Sequence, residues 1–179
     1  MKKSIWLWQL SGFALSTLVG TLLHFLYEWF PSPVVAVFSG INESTWEHMK
    51  LLFWPLFAYA IIQGIFFKDI PEFFSVKLRG TLLGLILIPV IFYTYNGVIG
   101  KSPDWINISI FFVSAACEYI YEARLFSRKK SHTVPKKYAI LCFALIALTF
   151  AVFTFKTPTI EIFRDPLTGG FGIPAEALK

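Results

Sequence analysis

The chain has 179 residues, of which 56% are hydrophobic, 18% aromatic and only 15% charged. Soluble domains are about 45–50% apolar and roughly a quarter charged, so this composition excludes an ordinary water-soluble domain and indicates an integral membrane protein. The net charge of +5 does not indicate a nucleic-acid partner, because the densest basic stretch, residues 124–137, lies between two apolar runs, where anionic lipid attracts lysine and arginine.

Five apolar runs are long enough to cross a bilayer, which takes about 20 residues. They cover residues 5–30, 44–67, 78–99, 105–124 and 138–156. The sequence therefore predicts an all-α fold, an integral membrane helical bundle of five transmembrane helices in a single transmembrane domain, residues 1–179. The first run is too long for the apolar part of a secretory signal peptide, and we interpret it as a retained helix.

Lysine and arginine are distributed unevenly between the two sides of this predicted bundle. With the N-terminus in the cytoplasm, eleven of the sixteen basic residues fall on the inner side. The five on the outer side are Lys50, Lys101, Lys156, Arg164 and Lys179. Because basic residues accumulate in cytoplasmic loops, the sequence predicts a multi-pass protein of the cell membrane with its N-terminus inside and its C-terminus outside.

Two outer segments do not fit a simple bundle. Residues 31–40 are apolar but too short to span, so they either lie in the membrane interface or form a re-entrant segment. Residues 157–179 contain Asp-Pro and Thr-Gly-Gly, which favour turns and predict a compact outer tail. Within this tail, Asp165 is a candidate site residue that could cover the outer ends of the helices.

Histidines and carboxylates gather where the first two predicted spans meet the outer side. His24 and Glu28 are four residues apart and share a helix face. Glu43 and Glu47 have the same spacing at the start of the next span, and His48 follows directly. The topology brings both groups to the same side of the membrane, so we expect His24 and Glu28 to converge on one cavity with at least one of the other three side chains.

This cluster has the chemistry of a divalent metal site. Two imidazoles among carboxylates favour a transition metal such as zinc over magnesium or calcium. We expect the ligands to come from His24, Glu28, Glu47 and His48. The carboxylates that could serve in catalysis are Glu28, Glu43 and Glu47, and Asn42 is a further candidate beside them.

Part of the pattern also has a purely structural interpretation. Residues 44–47, Ser-Thr-Trp-Glu, match a capping box, in which Ser44 caps the helix and Glu47 reaches back to its amide. His24 and Glu28 lie among leucines and phenylalanine, where charged groups are costly and commonly functional.

A second acidic pair, Glu118 and Glu122, lies in the inner half of the fourth predicted span. We expect Glu122 to reach the interface or to pair with Arg124 or Arg128. Glu118 lies deeper, and it is either a carboxylate that handles a proton or cation or a hydrogen-bonded packing residue.

The motifs HFLYEW, NESTWEHMKLLFWP and DPLTGGFGI resemble those of a family of small bacterial multi-span membrane proteins of unknown function. The most specific element is N-E-S-x-W-E-H, which covers residues 42–48. The resemblance extends over nearly the whole chain and implies a fold but no reaction. It also implies that the tail belongs to the same unit as the cluster.

Three functional hypotheses remain open at this point. The first is a metal-dependent membrane enzyme acting on a lipid or envelope substrate at the outer leaflet. The second is a transporter or binding subunit for a small solute or ion, in which the outer cluster and Glu118 mark steps along a path. The third is a structural or assembly protein without chemistry.

Overall fold

The computed structural model describes residues 2–127 and 134–173. These residues form six α-helices and one short 3-10 helix, with no β-strand among them. The helices are α1 (Lys2–Trp29), α2 (Pro33–Phe38), α3 (Thr45–Phe66), α4 (Phe73–Val98), α5 (Asp104–Phe126) and α6 (Lys136–Phe155), and the 3-10 helix covers Glu161–Phe163. The predicted partner Arg128 and the last part of the predicted tail, 174–179, lie outside the described residues.

Four of the helices are long and apolar enough to cross a membrane: α1 from Ser4 onward, α3, α4 and α6. Their bounds agree with four of the predicted apolar runs to within a few residues, and the all-α fold class is confirmed. Helix α5 has 23 residues, one more than α3. It carries three carboxylates and Arg124, so its role as a fifth span stays a prediction.

The distribution of polar and apolar side chains differs from that in a soluble bundle. Fully buried positions include Lys50, Gln63, Lys77, Glu118 and Glu122. Large apolar side chains lie exposed along the outward faces of α1, α3, α4, α5 and α6. Exposed apolar faces around an interior that also contains charged side chains suit a bundle surrounded by lipid.

Helices α1, α3, α4 and α5 pack in a ring, each against the next, with α5 closing against α1. Helix α6 packs outside this ring against α4 and α3, and α2 lies against α6, α1 and α3. Leu52, Ile88, Phe111 and Ala115 are buried in the central cluster of the ring. They form an apolar layer between two groups of polar side chains, one near each end.

The start of α3 confirms only part of the predicted capping box. Ser44 is the N-cap, and its hydroxyl accepts the Glu47 amide at 3.4 Å. The Ser44 amide, however, donates to Asn42 Oδ1 at 2.9 Å, and Glu47 Oε2 instead accepts the amide of Ile41 at 3.1 Å. The side chains thus hold the turn that enters α3 as well as its first amides.

Proline inside α3 is accommodated by a glycine on α1. Pro55 has no amide hydrogen and leaves the carbonyl of Leu51 without its helical donor. A Cβ placed on Gly20 would lie 2.9 Å from that carbonyl oxygen and 2.7 Å from the Phe111 ring. Only glycine allows α1 to approach α3 and α5 this closely.

The apolar segment 31–40 folds back along the C-terminal end of α1 and the N-terminal half of α3. The carbonyl of Val37 accepts Trp54 Nε1 at 2.9 Å, which places α2 beside the third turn of α3. Ser39 is buried, with its hydroxyl donating to the carbonyl of Leu23 and accepting the amide of Tyr27. These contacts hold segment 31–40 against α1 and α3.

Candidate functional site

His24, Glu43 and His48 converge where α1, the α2–α3 turn and α3 meet. His24 Nε2 lies 3.4 Å from Glu43 Oε1, and His48 Nε2 lies 3.7 Å from Glu43 Oε2. The two imidazole rings are 5.7 Å apart between centroids. One ligand atom from each of the three residues lies within 4.8 Å of the other two. These side chains are partly exposed, between 21% and 39%.

The backbone of α3 determines which nitrogen of His48 faces the cluster. His48 Nδ1 lies 2.9 Å from the carbonyl oxygen of Ser44. A carbonyl can only accept, so Nδ1 carries the hydrogen. The neutral ring then presents the lone pair of Nε2 to the Glu43 carboxylate, which is itself an acceptor. Two acceptors that face each other at 3.7 Å favour a cation between them. A metal-binding imidazole is commonly oriented by a hydrogen bond from its other ring nitrogen to a backbone carbonyl, as Nδ1 of His48 makes here.

The spacing of the cluster suits a transition metal. Ligands that bind zinc tetrahedrally at about 2.0–2.1 Å lie roughly 3.3 Å from one another. The two imidazole–carboxylate separations, 3.4 and 3.7 Å, run to different oxygens of Glu43, and each is near that edge and longer than a good hydrogen bond. The three residues offer one ligand atom each, which is the number that catalytic zinc sites take from the protein.

An outer cavity of ≈ 290 Å³ opens beside the cluster. Its walls include Asp104 and Asn107 from the first turn of α5, and Leu167 from the tail. Sequence reasoning did not single out Asp104 or Asn107. The sequence feature that could have identified them is their position at the start of the fourth predicted span, which the predicted topology puts on the same side of the membrane as the histidines.

An apolar groove continues from the cluster between α1 and α5. Gly20, Thr21, His24 and Phe25 of α1 line one side, and Ile108, Phe111 and Phe112 of α5 line the other. Thr21, Phe25, Ile108 and Phe112 are exposed on the outward surface of the bundle. The cluster therefore lies between a polar outer cavity and an apolar groove.

The structure does not bring Glu28 or Glu47 into this group. Glu28 lies one turn beyond His24, exposed, without a hydrogen bond or ion pair to the described part of the chain. Glu47 is buried in direct contact with the ammonium group of Lys50, which also donates to the carbonyl of Ala36 at 2.7 Å and contacts Thr154 Oγ1 at 3.3 Å. Glu43 is the carboxylate that faces both histidines.

Asn42 and Asp165 organise the tail around the site. Asn42 Nδ2 donates to the carbonyl of Gly172 at 2.9 Å, which ties the tail to the entry of α3. Asp165 accepts the Leu167 amide and the Thr168 hydroxyl, each at 2.8 Å. This turn places Pro166 and Leu167 in the wall of an adjoining pocket that Glu43 and His48 also line.

The second acidic pair lies in the interior of the ring. Glu122 Oε2 is 2.7 Å from Lys77 Nζ of α4, so its structural partner is this lysine and not Arg124. Glu118 is fully buried, and neither of its oxygens has a hydrogen-bond partner among the described residues.

These features define an all-helical protein with four helices able to cross a membrane and a histidine–carboxylate cluster at one end of its helical ring. The chain belongs to a family of unknown function, DUF6512, whose model matches residues 1–173. No curated protein and no solved structure matches it.

Proposed function

We propose that the protein is a five-span enzyme of the cell membrane whose outer metal centre acts on a lipid or envelope substrate. The convergence of His24, Glu43 and His48 within 4.8 Å carries this proposal. In it, the two Nε2 atoms and one Glu43 oxygen bind a divalent transition metal such as zinc. When bound there, such a metal would supply the chemistry of lowering the pKa of a water molecule for hydrolysis.

Asp104 is the group best placed to assist that water. It lines the same cavity as His24, Glu43 and His48, and its carboxylate belongs to a different helix. In hydrolytic metal sites a nearby carboxylate that is not a ligand serves as general base. Asp104 takes this role in the proposed mechanism, while Glu43 remains a ligand.

The apolar groove supports an amphipathic substrate. It begins at His24 and His48 and runs between α1 and α5 toward the middle of the bundle. A lipid chain lying in this groove would place a headgroup bond beside the metal and the polar cavity. The surrounding bilayer would supply such a substrate laterally.

Metal analysis of the purified protein tests the site. We expect about one zinc per chain in the wild type, in line with a single three-ligand site, and loss of that zinc in the double variant His24→Ala/His48→Ala. Glu28→Ala is the matched control, because Glu28 lies on the same helix as His24 but outside the cluster. Zinc that remains bound in the double variant, with folding intact, refutes the site.

Incubation with phospholipid vesicles tests the reaction class. Mass spectrometry should detect a lipid product with the zinc-loaded wild type and none with Asp104→Asn, which should keep its zinc. A zinc-loaded protein that releases no product from phospholipid or from isolated envelope lipids contradicts the enzymatic part of the proposal and leaves the metal site standing.

A further inference from the structure

A second polar group lies inside the ring, on the opposite side of the apolar layer from the metal cluster. All four helices of the ring contribute to it, and each side chain is at most 2% exposed. Its members are Gln9 and Ser16 of α1, Gln63 of α3, Lys77 and Thr81 of α4, and Ser114, Glu118 and Glu122 of α5. We name these eight residues the inner polar cluster.

One ion pair lies within the inner polar cluster. Lys77 Nζ and Glu122 Oε2 are 2.7 Å apart, and both residues are fully buried. The ammonium group also lies 5.0 Å from the centre of the Tyr119 ring. Lys77 thus has a carboxylate and an aromatic face as partners, and its charge is matched by Glu122.

Glu118 lies one turn away on the same face of α5 and has no such partner. Its two oxygens make no hydrogen bond within the described residues, although the side chain is completely buried. Gly84 of α4 makes room for it, since a Cβ there would lie 2.6 Å from Glu118 Oε2. Gly80 makes room for Glu122 in the same way, since a Cβ there would lie 2.5 Å from Glu122 Oε1. Helix α4 therefore has glycine opposite each carboxylate.

The charges of the inner polar cluster do not balance. Two carboxylates face one ammonium group, and an isolated buried carboxylate is far too costly to remain uncompensated. Polar atoms of Gln9, Gln63, Thr81 and Ser114 are also buried without a hydrogen-bond partner among the described residues. Buried polar groups without partners commonly mark a place where a water molecule or an ion binds, and the Glu118 carboxylate is the one that carries a negative charge.

We propose that the inner polar cluster binds one monovalent cation, a proton or a sodium ion, at the Glu118 carboxylate. A proton would bind one carboxylate oxygen and turn the acid into a hydrogen-bond donor for a neighbouring oxygen. Sodium would take the carboxylate together with neighbouring hydroxyl and amide oxygens. Either cation supplies the single positive charge that Lys77 does not provide.

The inner polar cluster extends toward the end of the ring where α4 begins and α5 ends. Lys77 lies in the second turn of α4 and Glu122 in the last two turns of α5, so the cluster extends toward that end of the bundle. The buried apolar layer of Leu52, Ile88 and Phe111 closes the other direction. We assign binding to this cluster and not passage through the protein.

The titratable groups around Glu118 are few. Helix α4 contributes Lys77, α3 contributes Tyr59, and α5 itself contributes Tyr119 and Glu122. Lys77 Nζ lies 5.9 Å from the Tyr59 ring, and Tyr119 accepts or donates a hydrogen bond with Ser16 at 2.7 Å. The buried face of α1 that packs here contributes the uncharged Gln9 and Ser16. A pH response assigned to Glu118 must therefore be separated from that of Glu122.

Glu118→Gln and Glu122→Gln form a matched pair of variants, one turn apart on one helix. Thermal unfolding of each is measured in detergent, with sodium replaced by choline at constant ionic strength, and infrared difference spectra are recorded across pH. We expect Glu118→Gln to unfold close to the temperature of the wild type in choline, because the neutral amide needs no compensating cation. Glu122→Gln should unfold several degrees lower, because it leaves Lys77 unpaired.

Measurements on the wild type identify which cation binds at Glu118. If sodium raises its unfolding temperature and Glu118→Gln abolishes that effect, sodium is the cation. A pH-dependent carboxylic acid band that is lost only in Glu118→Gln identifies a proton. The proposal is overturned if neither signal exists, or if Glu118→Gln destabilises the protein as much as Glu122→Gln. Zinc content should be unchanged in both variants, so the result is independent of the metal site.

Discussion

At the scale of single residues, the position of each carboxylate relative to the start of α3 decides which groups it contacts. Glu43 and Glu47 are one helical turn apart in sequence, yet their side chains have different surroundings. Glu43 lies before α3 begins and turns toward His24 and His48, where its side chain remains 39% exposed. Glu47 lies within the first turn and is buried against Lys50. The same chemical group thus faces a candidate metal position in one case and a lysine in the other.

Metal occupancy should depend on pH because both proposed nitrogen ligands are imidazoles. A protonated imidazole cannot bind metal, and ordinary histidines take up a proton near pH ~6.5. We expect the zinc affinity of the wild type to fall as the pH decreases, because protons compete with the metal for both ring nitrogens. Equilibrium dialysis against buffered zinc between pH 5 and 8 measures this dependence.

The corresponding control is a single-histidine variant. His48→Ala should bind zinc more weakly at every pH and with a shallower dependence, since one fewer proton competes with the metal. A zinc affinity that does not change with pH in the wild type would contradict ligation by histidine.

At the scale of helices, one buried ion pair holds together three elements. The ammonium group of Lys50 in α3 contacts Glu47, donates to the carbonyl of Ala36 in α2 and contacts Thr154 in α6. Glu47 in turn accepts the amide of Ile41. The charges are fully buried, so their contacts must be complete for the arrangement to be stable.

Breaking this pair on one side should be costly. Lys50→Met leaves the Glu47 carboxylate buried without its cation, and we expect a loss of about 3–5 kcal/mol in the free energy of unfolding. The double variant Glu47→Gln/Lys50→Met removes both charges and should lose less than Lys50→Met alone. Detergent unfolding curves provide the comparison, and Lys101→Met, at an exposed lysine, is the control.

The same double variant separates the structural role of Glu47 from metal binding. Because Glu47 faces Lys50 and not the histidines, Glu47→Gln/Lys50→Met should keep its zinc. Loss of zinc from a folded double variant would indicate that Glu47 is a metal ligand.

At the scale of the whole molecule, the ring of α1, α3, α4 and α5 separates two polar groups by an apolar layer. The outer group opens to a cavity that the tail covers with Pro166 and Leu167. The inner polar cluster is enclosed by the four helices. Helix α6 and the short α2 support the ring from outside. A single bundle thereby holds two polar groups, one partly exposed and one buried.

The proposed topology of five spans is tested with reporter fusions. Alkaline phosphatase and green fluorescent protein fused at Ser131 and at the C-terminus should report opposite sides, with Ser131 inside and the C-terminus outside. Position 131 and the C-terminus both lie outside the described residues. Fusions that report the same side would contradict the fifth span.

Composition and periodicity by themselves determined the helices. Apolar runs of about 20 residues form α-helices in a membrane-like environment, because the backbone must satisfy its own hydrogen bonds there. That rule predicted α1, α3, α4 and α6 to within about five residues at each end. The N-cap at Ser44 also followed, because a capping side chain acts on amides only three residues away.

Tertiary structure alone decided which polar side chains meet. Helical spacing placed His24 and Glu28 on one face, but the turn that enters α3 directs Glu43 to the histidines and leaves Glu28 outside. Asp104 joins the same cavity only because α5 packs against α1, and Lys77 pairs with Glu122 only because glycines let α4 approach α5. These contacts join residues tens of positions apart, and their distances depend on helix packing, which local spacing does not encode.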